Sequence, residues 1–222
     1  MSLILNIDTA LETASISLAL DGRIIDQAYN DQQKDHAAWL HPAVKELFQK
    51  TDILLQQLEA VAVSNGPGSY TGLRVGLSAA KGYCFALDIP LITVGTLEIL
   101  ADSVKEKATD LICPMIDARR MEVFTAIYDN NMTEIMTPQA MILDTDSFSQ
   151  LFDSHSILFC GNGSKKLKNI IQNANAVFTA DSSSTFSLAR LSQKQLLENK
   201  IADLAYCEPL YIKEFYSPVR KD

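Results

Sequence analysis

Two aspartates close apolar runs in this chain, Asp8 after Leu3-Ile4-Leu5-Asn6-Ile7 and Asp117 after Leu111-Ile112-Cys113-Pro114-Met115-Ile116. A carboxylate in that place can hold a metal ion or take a proton from a substrate hydroxyl. A phosphotransferase needs both functions, together with a pocket that excludes water. The same aspartate can instead accept backbone N–H groups and fix the turn after a strand. A glycine corner, Gly66-Pro67-Gly68-Ser69, follows the β-branched run Ala60-Val61-Ala62-Val63. Amides at a strand-to-helix corner favour anions, although glycines there also serve backbone geometry alone.

The histidines offer no metal site. His36 and His41 are five positions apart, which on a helix separates the imidazoles by ~140°, whereas a spacing of four would bring them within ~40°. Pro42 suits a first helical turn, so His36 is expected at or before the helix start and partly exposed. His155 is isolated, and a metalloprotease reading therefore lacks a ligand set. Cys84, Cys113, Cys160 and Cys207 are far apart among apolar neighbours, as expected of reduced, buried thiols.

Composition narrows the classes further. With 47% hydrophobic residues a sizeable core is assured, and a net charge of −8 disfavours tight autonomous binding to nucleic acid. The start, Met-Ser-Leu-Ile-Leu-Asn-Ile-Asp, has no basic leader and reads as a first strand, so the chain is expected in the cytoplasm.

Hydrophobic periodicity gives strands at 2–8, 13–20 and 23–29, a helix at 36–50, a strand at 59–64, a helix at 71–87, a strand at 90–94 and a helix at 95–106. The order then repeats: strands 111–117, 121–128 and 133–141, helix 146–153, strand 156–160, helix 164–173, a weak strand 176–179 and helix 184–199. Both halves run βββαβαβα, and corresponding corners agree. Asp8 matches Asp117, and Gly66-Pro67-Gly68-Ser69 matches Gly161-Asn162-Gly163-Ser164. The fold class is α/β with two duplicated lobes, residues 1–107 and 108–204, and the segment 205–222 is expected to pack back on the first.

Helix 71–87 is apolar nearly all round, with only Arg74, Ser78 and Lys81 as strongly polar interruptions. One sheet cannot cover such a helix. Its charges exclude a membrane span. Gly72, Gly76 and Ala80 recur every four residues as a smooth flank on which another helix could lie closely. In the preceding helix Leu40, Val44, Leu47 and Phe48 should face the sheet, whereas Trp39 and Ala43 lie off that stripe. Trp39, Ala43, Gly72, Val75, Gly76, Ala79, Ala80 and Tyr83 are thus the expected partner-binding residues, although a lone exposed tryptophan can also be incidental. Arg119 and Arg120 fall at the second hairpin turn, where they can contact phosphate or tRNA or simply be solvated.

Two duplicated ribonuclease-H-like halves are the architecture of the actin, Hsp70 and sugar-kinase superfamily, which this sequence resembles. In that superfamily the hairpins after the first strand of each half embrace the phosphates of ATP. The resemblance makes Asp8, Thr9, Asp117, Gly161 and Gly163 vestigial phosphate-loop positions. Four segments narrow it: Leu5-Asn-Ile-Asp8-Thr9 with Glu12-Thr13, Asn65 to Gly82, Pro114-Met-Ile-Asp117-Ala118-Arg119-Arg120, and Glu208-Pro209-Leu-Tyr211. Together they resemble the TsaB (YeaZ) family nearly end to end. The resemblance implies a noncatalytic subunit of the bacterial machinery that makes threonylcarbamoyladenosine in tRNA. It would bind the metal-bearing transferase TsaD, work beside the ATPase TsaE, reach tRNA only through the complex, and form homodimers when free. It implies no intrinsic cofactor, and ATP or ADP, where used, at the interface with TsaD. The alternative is an ATP-dependent phosphotransferase of the same superfamily.

Overall fold

The computed structural model describes residues 1–32, 35–179 and 184–213. The first half contains β1 (Leu3–Asp8), β2 (Ala14–Leu20), β3 (Arg23–Asn30), α1 (His36–Thr51), β4 (Ala60–Ser64), α2 (Tyr70–Leu87), β5 (Leu91–Val94) and α3 (Thr96–Val104). The second contains β6 (Leu111–Asp117), β7 (Glu122–Asp129), β8 (Glu134–Ile142), α4 (Ser149–Phe152), β9 (Ile157–Cys160), α5 (Ser164–Lys168), β10 (Ala176–Phe178) and α6 (Ser184–Leu197). The duplication is present in the sheets themselves. Their orders are β3-β2-β1-β4-β5 and β10-β9-β6-β7-β8. In each, the first three strands are antiparallel and the later ones join in parallel.

The helices duplicate less well. Where α1 and α2 run for 16 and 18 residues, their counterparts α4 and α5 have 4 and 5. The expected helices at 146–153 and 164–173 are therefore helical over only half their length. α4 buries Phe152 and α5 buries Ser164 and Leu167, too short a stripe to hold a longer helix on the sheet. After Lys168 the asparagines compete for backbone partners, as when Asn173 Oδ1 accepts the Asn175 N–H at 2.8 Å. Pro42 is not in the first turn: α1 begins at His36 and carries Pro42 in its interior. Pro42 and Ala38 are both on the exposed side, where the carbonyl deprived of its partner can be hydrated.

Side-chain alternation along β1 builds the layers. Leu3, Leu5 and Ile7 point to α1 and α2, whereas Ile4 points to α6 and Asn6 and Asp8 share its face. Two polar contacts key α6 to that face: Ser192 Oγ donates to Asn6 Oδ1 at 2.7 Å and Ser184 Oγ to Asp8 Oδ2 at 3.3 Å. Thus α6, from the second half of the chain, packs on the first sheet. α3, from the first half, packs through Leu97, Leu100, Ala101 and Val104 on the second. The boundary at 107/108 separates the sheets but not these helices. An ion pair joins them, Arg190 of α6 with the buried Asp102 of α3.

Candidate functional site

Asp8 is enclosed. It is 3% exposed, and its carboxylate accepts from Ser64 Oγ at 2.7 Å, Ala10 N at 3.1 Å and Ser184 Oγ at 3.3 Å. Burial pushes its pKa up, against the opposing pull of these hydrogen bonds. Thr9 is wholly buried and donates to Gly72 O at 2.7 Å. The glycine segment closes over this end of β1. A Cβ on Gly72 would be 2.0 Å from Thr9 O, one on Gly76 2.3 Å from Thr9 Oγ1, and one on Gly68 2.4 Å from Ala10 O. Three of its amides are also occupied: Ser69 N bonds Ala10 O, Gly66 N bonds Thr96 Oγ1 and Gly72 N bonds Ser69 Oγ. The anion-attracting corner expected from the sequence is thus directed at the protein's own chain.

The second corner is built likewise. Gly161 has φ +83° and a Cβ there would meet Met115 O at 2.3 Å, while Gly163 N bonds Met115 O at 3.0 Å. Asp117 differs from Asp8 in being exposed. Burial is the largest single influence and pushes its pKa up, but Lys166 Nζ at 2.8 Å and the Arg119 N–H at 2.6 Å together outweigh it and hold the carboxyl below the ordinary value.

Between the two corners lies a cleft of about 260 Å³, lined by Glu12, Thr13, Ser15, Tyr29, Asn162 and Ser184 among others. Sites for ligands of drug size run from ~300 to ~1,000 Å³. With Asp8 capped by three donors and the amides of Gly66, Ser69 and Gly72 occupied, this cleft does not fit a bound nucleoside triphosphate.

The face of α1 and α2 departs from expectation in detail. Gly72, Gly76, Ala79 and Ala80 are buried beneath α2 against their own sheet, and Ala43 is buried beneath α1. Trp39 is half-buried and lines a depression with Ala28, Tyr29 and Pro42. His41, two positions on and so ~160° around the helix, reaches α2 instead, with a ring nitrogen 2.9 Å from Tyr83 Oη. Trp39 is therefore not continuous with α2. The row of α2 that does face outward is Thr71, Val75, Ser78, Gly82 and Phe85. Phe85 is 82% exposed, and a Cβ on Gly82 would meet nothing within 4 Å. Val75 and Tyr83 keep partial exposure at its edge.

His36 is buried with neither ring nitrogen hydrogen-bonded, whereas His41 is exposed. The other flank of α2 is bordered by residues 203–213, a strap that sequence periodicity does not reveal. Lys81 Nζ donates to Ala205 O at 3.4 Å, Arg74 Nε to Tyr211 Oη at 3.0 Å, and Leu210 N to Asn65 O at 2.7 Å. Arg74 also lies 4.1 Å from the centroid of the Tyr70 ring. The remainder of the expected C-terminal segment, residues 214–222, lies outside the described residues.

A family model described as TsaD, tRNA N6-adenosine threonylcarbamoyltransferase, matches residues 23–214. The chain is 34% identical over 172 residues to the tRNA threonylcarbamoyladenosine biosynthesis protein TsaB of Bacillus subtilis, covering 76% of this chain and 75% of that protein. With TsaB of Escherichia coli it shares 32% over 129 residues, 58% of this chain and 55% of the other. YeaZ from Pseudomonas aeruginosa has the same fold, with a TM-score of 0.82 at 24% identity over 95% of this chain and all of that one. No helix among the described residues is long and apolar enough to cross a membrane. The matches agree with one another and with the two-lobed duplication: the chain belongs to the TsaB (YeaZ) family, whose domain is of the TsaD type.

Proposed function

We propose that this protein is a noncatalytic, cytoplasmic subunit of the machinery that makes threonylcarbamoyladenosine in tRNA, and that it binds and activates TsaD. The observation that carries the proposal is the outward row of α2, small at Thr71, Ser78 and Gly82 and aromatic at Phe85, in a chain of the TsaB family. Small residues let a partner helix approach closely, and an exposed aromatic at the edge supplies an anchor. A second copy occupies this face when TsaD is absent, so the free chain dimerises. TsaD performs the transfer, TsaE supplies ATPase activity, tRNA is engaged through the assembly, and ATP or ADP lies where this chain meets TsaD. Activation follows if the row fits one conformation of TsaD better than another.

Substituting Gly82→Arg tests the proposal without disturbing the lobe, because the new side chain enters open space. Burying an unpaired guanidinium costs several kcal/mol against the ~8 kcal/mol of a micromolar contact. Sedimentation should find the variant monomeric and unable to join TsaD, and a reconstituted modification reaction should lose the contribution of this chain. A Gly82→Arg protein that still dimerises, binds TsaD and supports modification would refute the assignment.

A further inference from the structure

Outside the α2 face, one feature combines backbone strain with unpaired charge. Arg119 and Arg120, at the tip of the β6–β7 hairpin, both have positive φ, +70° and +49°. Left-handed backbone is uncommon for side chains other than glycine and asparagine, and its retention at an exposed tip points to a use for what the tip presents. The hairpin is fixed from within. Arg119 N bonds Asp117 Oδ1 at 2.6 Å, and Ala118 N and Glu122 N close the turn on Glu122 O and Arg119 O, each at 3.1 Å.

The carboxylates flanking the tip are already matched. Asp117 is paired with Lys166 at 2.8 Å and Glu122 with Lys213 at 2.7 Å. Among the described residues neither Arg119 nor Arg120 has an ion pair or side-chain hydrogen bond. Four cations thus stand against two carboxylates at one end of a protein whose formal charge is −8. Both arginines are exposed, as is Lys165 on the adjoining α5. A weakly hydrated guanidinium binds phosphate oxygens bidentately, and two on one tip suit neighbouring phosphates.

Position also matters. Tyr211 is held on Arg74 of α2 and Lys213 on Glu122 of the hairpin. The strap thus passes from α2 to the base of the hairpin within two residues. We propose that the Arg119–Arg120 tip grips the phosphodiester backbone of the RNA on which the assembly acts, an inference that rests on the function proposed above. Contacts of this kind position the RNA and carry no base preference.

The test uses the full chain assembled with TsaD and a tRNA transcript. Replacing Arg119→Asn together with Arg120→Gly removes both charges and installs residues that accept positive φ, so the melting temperature should not fall. In filter binding between about 50 and about 200 mM salt, affinity for tRNA should drop about tenfold at the low end, and the log–log salt slope should shrink by about one to two. The Arg119→Lys, Arg120→Lys variant should keep most of both. Unchanged affinity and slope in the Asn-Gly variant would overturn the inference. So would loss of ADP binding with an unaltered tRNA slope, which would assign the arginines to a nucleotide phosphate. If the native chain fails to assemble with TsaD at all, the parent proposal fails and this one with it, whereas normal assembly with an unchanged slope overturns this one alone.

Discussion

The hydroxyl of Thr9 occupies the space that any side chain on Gly76 would need: a Cβ there would stand 2.3 Å from Oγ1. The same hydroxyl donates to Gly72 O at 2.7 Å, so it helps to seat α2 on the end of β1. Gly76→Ala should therefore destabilise the fold by about 1–3 kcal/mol through overpacking. Thr9→Ala loses a hydrogen bond worth about 1 kcal/mol but makes room. The double variant should be more stable than the sum of the two losses, a coupling that denaturant titration of the four proteins would measure. Simple additivity would show that the two residues do not press on each other.

Phe85 should behave in the opposite way. At 82% exposure it contributes little to the lobe, so Phe85→Ser should change folding stability by no more than about 0.5 kcal/mol. If α2 carries the partner face as proposed, the substitution should weaken both self-association and binding to TsaD by about 2 kcal/mol. Calorimetric titration with TsaD against a thermal melt of the free chain separates the two effects. Equal affinity in the variant would move the anchor elsewhere on the face.

The contrast between Gly76 and Gly82 also marks how far the sequence could be read. The duplication and both sheets were legible, because alternation of period 2 and the paired Asp and glycine corners are local signals. The every-four recurrence of Gly72, Gly76 and Ala80 was real, but local spacing cannot say which side of a helix faces inward. That was decided by Thr9, 63 residues from Gly72 in the chain. The exchange of α3 and α6 between sheets was invisible for the same reason, since each helix reads as amphipathic whichever sheet receives it. The shortness of α4 and α5 follows from how little each buries, which propensity does not encode.

Asp102 and Arg190 tie that exchanged layer together, and their exposures predict an asymmetry. The Asp102 side chain is 2% exposed and also meets Lys105 at 3.0 Å, whereas that of Arg190 is 52% exposed. Arg190→Ala leaves a buried carboxylate short of one partner. Asp102→Ala leaves a guanidinium that water can reach. The first should cost more than the second by about 1–3 kcal/mol. Equal losses in urea titrations would mean that the carboxylate is better solvated than its burial implies.

Asp8 tests whether the corner after β1 does any chemistry. Burial raises its pKa above the ordinary value of 3.8, and the bonds from Ser64, Ala10 and Ser184 oppose that rise. A carboxyl whose folded pKa exceeds its unfolded one holds its proton more tightly in the native state. It therefore costs stability progressively as pH climbs above 3.8 toward the folded value. Asparagine preserves the shape, still accepts from Ser64 and Ala10, and can donate to Ser184. The advantage of Asp8→Asn over the parent chain should thus be least in acid, grow through that window and level off above it, as paired denaturation curves from about pH 4 to about pH 8 would show. A noncatalytic subunit also predicts that the variant supports tRNA modification as well as the parent chain does. Loss of modification by a variant that is folded and bound to TsaD would instead give Asp8 a chemical role and reopen the phosphotransferase alternative.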